Sequence, residues 1–379
     1  MLYATYAKID LSALANNLLG IRERVGDAAI MLAVKANAYG HGAATVSKFV
    51  EQAHLVDWLG VATVPEALEL RAAGVSLPIL KLPNSFQEEL DAALGADVSL
   101  TVVDETSIRQ VSDAAARLAL QANVHLAVDT GMRRIGCPPE MAARLAESIL
   151  DDPNLRLEGV FTHLPSSDTP ADDAVTKQQL RTFGNCVDAI QRMSLAKGYD
   201  EVPYIHASNS GAIAGHDLAG LTMVRPGILA YGYYPDATTP RPFAVTPVMS
   251  LYSKVAFVKQ IKAGDTVGYG RTWTAPSDTF IATVPVGYGD GLSRLNSNTG
   301  RMLIGGASYP IVGRVCMDQT MVDLGPATQV QAGDDVVWLG TWGDAPAIDA
   351  DELATNAHTI SYEVTTLIPP RVQRVFVGG

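Results

Sequence analysis

The sequence predicts an α/β protein whose N-terminal part is a (β/α)8 barrel of the TIM type and whose C-terminal part is a mostly-β domain. Two features of the chain predict this. Short apolar runs alternate with helical segments in the first part, and from about Arg241 they give way to β-branched runs separated by glycine-containing turns. We therefore expect two domains, 1–236 and 237–379, joined by the proline-rich segment 234–242.

Eight apolar runs bounded by turn residues predict the barrel strands. They lie at residues 31–35, 58–62, 78–82, 98–103, 124–129, 157–163, 203–208 and 222–226. Helical segments are predicted at 11–25, with Asp10 as the N-cap, and at 65–73, 105–120 and 139–149. Buried strands that alternate with helices favour a closed barrel. The pattern leaves an open doubly wound sheet as the alternative.

The C-terminal domain is predicted from runs of β-branched residues. Strands are expected within 250–261, 265–269, 279–288, 301–324, 335–339 and 371–377, and one short helix within 349–358. Because helix signals are otherwise scarce here, the domain is predicted to be mostly β.

Composition narrows the class of protein. Lys and Arg number 28 against 40 Asp and Glu, and the formal net charge of -12 disfavours general binding to nucleic acid or anionic membranes. The cysteines Cys137, Cys186 and Cys316 are too scattered for a disulfide framework or a metal site. We find no signal-peptide pattern and no apolar segment of roughly 20 residues, so a cytoplasmic protein is expected.

Reactive side chains collect at the predicted C-terminal ends of barrel strands, where barrel enzymes place their chemistry. These residues are Lys35 after strand 1, Arg133 and Arg134 after strand 5, His163 after strand 6, Asn209 and Ser210 after strand 7, and Arg225 after strand 8. A lysine at the end of a buried strand is costly to desolvate. It is tolerated if it forms a Schiff base with a carbonyl cofactor, or if it snorkels to the barrel rim.

The loops after strands 7 and 8 form the usual phosphate position of such barrels. Here they carry Ser210-Gly211 and Gly227-Ile228, whose backbone N–H groups can approach a phosphate closely. The sequence therefore predicts a ligand that bears a phosphate.

Eight short motifs then carry a resemblance to a known family. They are AVKANAYGHG, DTGMRRIG, HASNSG, VRPGILAYG, VGYGRTW, VPVGYGDGLSR, GRVCMDQTMVDL and ISYEV, in this order. Together they closely resemble the motifs of bacterial alanine racemases, between residues 35 and 363. The resemblance implies a pyridoxal-phosphate barrel followed by a β domain, working as a homodimer with shared active sites.

The resemblance implies two catalytic residues. Lys35 would hold pyridoxal 5'-phosphate and act on one face of the substrate, and Tyr269 of the partner subunit would act on the other. Racemisation needs groups on both faces, because a proton leaves one and returns on the other. A tyrosine with a pKa of about 10 is a poor base at neutral pH. His163 and Arg225 resemble the network that assists it.

Further roles are also implied by the resemblance. Arg225 would donate to the pyridine nitrogen without protonating it, which limits other pyridoxal chemistry. Arg134 would bind the substrate carboxylate, with a backbone N–H from Met317 of the partner subunit. Tyr288 would narrow the entrance together with Tyr362. The remaining implied cofactor contacts are Tyr39, Ser210, Gly227, Ile228 and Tyr362 at the phosphate, with His163 and Asn209 nearby.

Several neighbouring residues are interpreted as having no catalytic role. Arg133 is expected to face solvent, Cys316 to be a small buried hydrophobe, and the segment GYGDG at Tyr288 to be a turn. His125, His206 and Asp129 are interpreted as structural or supporting residues, because no metal-ligand spacing is present.

The sequence departs from the family pattern at two places. Ala127 stands where a lysine that becomes carbamylated is often found beside the substrate-binding arginine, and Leu164-Pro165 stands where phenylalanine-alanine is usual. A buried guanidinium without a counter-charge is costly. We therefore expect a small anion, chloride, near Ala127 and Arg134, with an ordered water or a nearby carboxylate as alternatives.

The expected function is the interconversion of L- and D-alanine, which supplies D-alanine for peptidoglycan. A racemase of another small amino acid such as serine remains open. Arg225 and the tyrosine of VGYGRTW disfavour a pyridoxal decarboxylase for basic amino acids. The complete β domain disfavours a non-catalytic pyridoxal-phosphate carrier.

Overall fold

The computed structural model describes residues 3–343 and 345–379. Contacts within it define a barrel unit, Leu14–Ala38 with Ala43–Thr246, and a β unit that contains Pro247–Gly379. The β unit also takes Tyr39–Gly42 and the N-terminal segment up to Ala13. The division therefore differs from the predicted 1–236 and 237–379. The reason lies in β1 (Tyr6–Asp10), which pairs with strands from the C-terminal part of the chain.

The barrel unit contains eight parallel strands that close on themselves. They are β2 (Ala29–Ala33), β3 (Trp58–Val61), β4 (Ile79–Asn84), β5 (Val98–Val102), β6 (Ala122–Ala127), β7 (Leu155–Phe161), β8 (Tyr204–His206) and β9 (Met223–Val224). Closure is completed where Ala29 of β2 pairs with Met223 of β9. The predicted barrel is confirmed, and the open sheet is excluded.

Apart from short 3₁₀ turns, nine helical segments belong wholly or mainly to the barrel part of the described chain. They are α1 (Leu11–Val25), α2 (Lys35–Tyr39), α3 (Ala43–Gln52), α4 (Val64–Ala72), α5 (Leu90–Gly95), α6 (Glu105–Leu118), α7 (Ala142–Leu150), α8 (Asp173–Ala196) and α9 (Ser210–Gly215). Polar caps explain several starts. The carboxylate of Asp104 accepts from the N–H of Ser107 at 2.7 Å, and Asp10 accepts from Ala13 at 3.1 Å.

The β unit is built around a mixed sheet in which β1 lies in the interior. Its order is β16-β15-β18-β10-β1-β20, with β19 added to β18, beside a smaller sheet β11-β14-β17 and the pair β12-β13. The strands are β10 (Met249–Lys254), β11 (Phe257–Ile261), β12 (Thr266–Val267), β13 (Trp273–Thr274), β14 (Thr279–Val284), β15 (Arg301–Ile304), β16 (Ala307–Pro310), β17 (Thr320–Gly325), β18 (Asp335–Trp342), β19 (Ala345–Ile348) and β20 (Gln373–Val377). The helices are α10 (Ala350–Ala357) and α11 (Ser361–Thr366).

Each unit contains its own cluster of buried hydrophobic side chains. In the barrel, Met31, Trp58, Leu80 and Met223 form one buried cluster that joins four strands. In the β unit, Val267, Ile281 and Val312 form another. Among the described residues, none of the helices has the length and apolar character that crossing a membrane requires.

Candidate active site

The barrel brings the predicted basic residues together at the carboxyl ends of its strands. Lys35 follows β2, His163 follows β7 and Arg225 follows β9. Nη2 of Arg225 lies 3.4 Å from Nδ1 of His163. The charges of Arg134 and Arg225 both act on Lys35, which places all four residues around one region.

Lys35 is half-buried, and its surroundings disfavour its ammonium form. Burial lowers its pKa from the ordinary value, and the positive charge of Arg134 lowers it further. Glu66 opposes the shift, and Arg225 adds to it. A lower pKa gives a larger fraction of neutral amine, which is the form that attacks a carbonyl carbon or accepts a proton.

The residues that follow Lys35 form a left-handed helical turn without glycine. Ala36, Asn37, Ala38 and Tyr39 have φ of 51°, 56°, 54° and 53°. Left-handed backbone costs an L-residue roughly 1–2 kcal/mol. Glu66 compensates in part, since its Oε1 accepts from the N–H of Ala36 at 2.7 Å. Such strain is typical of functional sites, and here it sets the direction in which the chain leaves Lys35.

Glu66 was not singled out from the sequence as a site residue. Its other oxygen accepts from the N–H groups of Ala62, at 2.8 Å, and Thr63, at 3.1 Å. Thr63 in turn caps α4 together with Glu66, a capping box. The capping motif is visible in the sequence, but the link to Ala36 depends on the neighbouring position of β2 and β3 in the barrel.

Arg225 is buried, with 7% of its surface exposed. Its Nη1 lies 2.7 Å from Nδ1 of His206, and its Nη2 donates to the carbonyl oxygens of Thr162, at 2.8 Å, and Ala207, at 3.2 Å. Burial lowers the pKa of Arg225 to about 9, with a further contribution from Arg134. The guanidinium is therefore still protonated at neutral pH and acts as a donor.

His163 is held in its neutral form. Burial lowers its pKa to about 3, and the charges of Arg225, Arg134 and Lys35 act in the same direction. A neutral imidazole offers one donor and one acceptor nitrogen. His163 can therefore exchange hydrogen bonds with a tyrosine hydroxyl without adding another positive charge.

The loops after β8 and β9 meet at Ser210. Its Oγ accepts from the N–H groups of Gly227, at 3.0 Å, and Leu229, at 3.3 Å. Asn209 has a different observed role, since its Oδ1 accepts from the N–H of Ala212 at 3.0 Å and caps α9. Contact between Asn209 and a cofactor stays a prediction.

Arg133 and Arg134 follow β6 and are both exposed in the single chain. Arg133 faces solvent, as expected, with its Nη1 3.8 Å from Oδ2 of Asp129. The assumption that Arg134 is buried is wrong for one chain taken alone. Ala127, by contrast, is buried within β6.

The residues expected to reach a partner are exposed on the β unit. The exposed fractions are 72% for Tyr269, 54% for Met317 and 44% for Tyr288. Tyr288 and Met317 lie on adjoining segments, because the N–H of Gly289 donates to the carbonyl of Met317 at 2.8 Å. The segment Tyr288–Asp290 is a 3₁₀ turn, which confirms that GYGDG is a turn.

Three other residues of the β unit are placed by the structure. The rings of Tyr39 and Tyr362 lie 5.9 Å apart between centroids, so the two predicted phosphate ligands are neighbours. Cys316 is partly buried, and burial raises the pKa of its thiol, which disfavours a nucleophilic thiolate.

Comparison with known proteins decides the family. Residues 9–235 match the family described as alanine racemase, N-terminal domain, and residues 248–376 match alanine racemase, C-terminal domain. A protein named alanine racemase from Cutibacterium acnes is 50% identical over 374 residues, which cover 99% of this chain and 98% of that protein.

The chain belongs to the alanine racemase family. This confirms the predicted enzyme class, an isomerase that racemises an amino acid, and the predicted architecture.

Solved structures agree with the assignment to the alanine racemase family. The alanine racemase from Streptomyces coelicolor superimposes with a TM-score of 0.90 at 34% identity and covers 99% of this chain and 98% of its own. A histidine racemase from Leuconostoc mesenteroides superimposes with a TM-score of 0.88 at 28% identity, with the same coverage. The same fold therefore occurs in a protein named alanine racemase and in one named histidine racemase.

Proposed function

We propose that this chain is an alanine racemase that binds pyridoxal 5'-phosphate at Lys35. The observation that carries the proposal is that Lys35, whose pKa is lowered, and the buried Arg225 follow two neighbouring strands, β2 and β9, at the mouth of the barrel. Family membership over both units supports it. Its product D-alanine would serve peptidoglycan synthesis, and free thiols favour the cytoplasm as its compartment.

The residues present suit this cofactor chemically. The neutral amine of Lys35 would hold an aldehyde cofactor, and the Arg225 guanidinium would offer N–H donors to its ring nitrogen. Ser210, Gly227 and Ile228 lie in the two loops that bind phosphate in such barrels. Tyr39 and Tyr362, both in the β unit, stay predicted phosphate ligands, and His163 of the barrel unit stays a predicted neighbour of the cofactor. When bound, pyridoxal phosphate stabilises negative charge at the substrate α-carbon.

Proton transfer on two faces follows from the placement of two residues. Lys35 would take or return a proton on one face of the substrate α-carbon, helped by its lowered pKa. Tyr269 of the partner subunit would do the same on the opposite face. The Tyr269 hydroxyl needs an acceptor for its own proton, and neutral His163 beside Arg225 would supply a hydrogen-bond partner.

Arg225 and Arg134 would orient the reactants. Arg225 keeps its own proton at neutral pH, so it would donate to the pyridine nitrogen and leave that nitrogen unprotonated. Arg134 would bind the substrate carboxylate, with the backbone N–H of Met317 from the partner. Tyr288 and Tyr362 would limit the size of the substrate side chain at the entrance.

A homodimer with shared sites explains the exposure of the β-unit residues. A single chain leaves Tyr269, Met317 and Tyr288 uncovered, together with other large apolar side chains of this unit. Exposed apolar groups of this size mark interaction surfaces more often than free surface. We expect each β unit to complete the active site in the other subunit.

We also propose a chloride ion near Ala127 and Arg134. Arg134 is exposed in a single chain, so burial of its guanidinium gives no reason for an anion there. The concentration of positive charge gives one. Arg134 and Arg225 lower the pKa of both Lys35 and His163, so an anion would be attracted to this region.

Crystals soaked in bromide test the anion. An anomalous peak within contact distance of the Arg134 guanidinium, near Ala127, is the expected result. A water or a carboxylate at that position, with no anomalous signal, would reject chloride.

Substitution of Lys35 tests the proposed function. Lys35→Arg should remove racemase activity and the visible absorbance of bound cofactor, because a guanidinium keeps the charge but provides no neutral amine. Lys48→Arg, at an exposed lysine of α3, is the matched control and should retain both. Racemase activity at the wild-type level in Lys35→Arg would refute the assignment.

A panel of amino acids tests the substrate. L-alanine should be racemised faster than L-serine and L-histidine in a polarimetric assay. Preference for serine would identify the racemase of another small amino acid. Cofactor binding without racemisation of any amino acid would identify a non-catalytic pyridoxal-phosphate protein.

A further inference from the structure

Five buried side chains form a continuous polar chain through the interior of the barrel. Arg225 Nη1 lies 2.7 Å from His206 Nδ1, and His206 Nε2 lies 2.9 Å from His125 Nδ1. His125 Nε2 lies 3.5 Å from Glu158 Oε2, and the Ser99 hydroxyl donates to the same oxygen at 2.8 Å. The chain runs from the mouth of the barrel to a carboxylate on β7.

The guanidinium at one end and the carboxylate at the other favour one direction of proton donation along this chain. A guanidinium has only donors, so its contact with His206 favours a ring that accepts through Nδ1 and carries its proton on Nε2. That proton then donates to Nδ1 of His125, which must carry its own proton on Nε2. The last N–H is then on the nitrogen that lies 3.5 Å from Oε2 of Glu158, which is close enough for electrostatic attraction but does not form a hydrogen bond.

Burial agrees with two neutral imidazoles between two charges. His125 and His206 have no exposed surface, and burial lowers the pKa of both. The hydrogen bond from Ser99, the approach of His125 and the positive charge of Arg156 outweigh burial at Glu158 and lower its pKa, so it is ionised at neutral pH. The remaining hydrogen-bond partners of Arg225 in the described chain include carbonyl oxygens and His163, which is neutral.

We propose that Glu158 is the counter-charge of Arg225, acting through fixed tautomers of His125 and His206. A buried guanidinium without an anion is costly, and a carboxylate linked by two polarised imidazoles offsets that cost. Glu158 and His125 are thus positioning residues for Arg225. They hold its guanidinium in one orientation toward the mouth of the barrel.

The catalytic consequence of this inference rests on the proposed function, in which the Arg225 guanidinium donates to the pyridine nitrogen. The same fixed orientation presents its N–H groups to that nitrogen. If Glu158 loses its charge, both imidazoles can reverse their tautomers, and a reversed His206 would turn an N–H toward Arg225. The guanidinium would then lose its partner and its position.

Nitrogen NMR of histidine tests the tautomers directly, with or without cofactor. The chain has 7 histidines, so ¹⁵N-histidine labelling gives a small set of signals. His206→Asn and His125→Asn variants assign the two signals of interest. The expected result is an unprotonated Nδ1 and a protonated Nε2 in both rings at pH 7. A cationic ring or a protonated Nδ1 in His206 would overturn the proposal.

The variant Glu158→Gln tests the counter-charge. A glutamine amide can donate or accept, so we expect both rings to show mixed tautomers. We also expect cofactor binding to weaken roughly tenfold, the scale on which outer partners of a bound group act. Glu158→Asp keeps the charge and should restore the wild-type nitrogen signals. Glu51→Gln removes a carboxylate that accepts from Ser76 and Leu77 elsewhere in the barrel unit, and should leave the histidine signals unchanged.

The outcomes separate this inference from the proposed function. Fixed tautomers in wild type that persist in Glu158→Gln would reject Glu158 as their cause, even if the enzyme racemises alanine. Tautomers that depend on Glu158 in a protein that binds no pyridoxal phosphate would support the polar chain and reject the proposed function. If Glu158→Gln does not fold, the wild-type tautomers and Glu158→Asp still decide the matter.

Discussion

At the scale of single residues, burial determines the protonation of the active-site histidines. The pKa of His163 is lowered to about 3, below the value near 6.5 expected in the unfolded chain. The unfolded chain therefore binds more protons than the folded chain between those two values. Stability falls as pH decreases from about 6.5 towards 3, by up to about 1.4 kcal/mol per pH unit for each such histidine.

We predict that His163→Asn flattens this pH dependence. Free energies of unfolding from urea titrations at pH 7 and pH 5 measure the slope. His54→Asn is the matched control, since His54 is exposed and its left-handed backbone suits asparagine. Glu158 has a lowered pKa and acts only at pH values below about 4.5, outside the measured interval. Equal slopes in wild type and His163→Asn would contradict the prediction.

At the scale of elements, the left-handed turn α2 stores strain next to Lys35. Ala36 is exposed and has a φ of 51°. Its Cβ therefore makes the left-handed backbone unfavourable and contributes little to packing. We predict that Ala36→Gly stabilises the protein by about 0.5–1 kcal/mol, because glycine adopts this backbone without a steric penalty.

Ala72→Gly is the matched control for Ala36→Gly. Ala72 is exposed at the end of the ordinary helix α4, where glycine should destabilise by about 0.5–1 kcal/mol. Urea unfolding of both variants should therefore give shifts of opposite sign. Two destabilising shifts of similar size would show that α2 is not strained.

At the scale of the whole molecule, shared active sites predict complementation between inactive subunits. Lys35→Ala and Tyr269→Phe each remove one proton-transfer group, and a mixed dimer retains one site with both. Random exchange of equal amounts should form mixed dimers in about half of the population and restore about one quarter of wild-type activity. Racemase activity before and after exchange is the measurement.

A mixture of Lys35→Ala with Lys35→Arg controls for this experiment, because no combination of those subunits contains an intact site. Native mass spectrometry of the mixture establishes that subunits have exchanged. Absence of recovered activity from exchanged Lys35→Ala and Tyr269→Phe subunits would show that the two residues do not share a site across the dimer.

Local patterns in the sequence determined the elements of the barrel and the residues at its mouth. The alternation of apolar runs and helices predicted all eight strands, and the Asp10 cap together with the apolar period predicted α1 from Leu11 to Val25. These features depend on neighbouring residues. The motifs around Lys35 and Arg225 predicted the family for the same reason, because each motif consists of residues that are close together in the sequence.

The tertiary structure alone decided which distant residues meet. His125 and His206 are 81 positions apart, and their contact exists only because β6 and β8 both enclose the barrel interior. Pairing of β1 with β10 and β20 moved the N-terminal segment into the β unit. The exposure of Arg134 and the left-handed turn after Lys35 likewise depend on packing, which propensity and period do not encode because they describe only near neighbours along the chain.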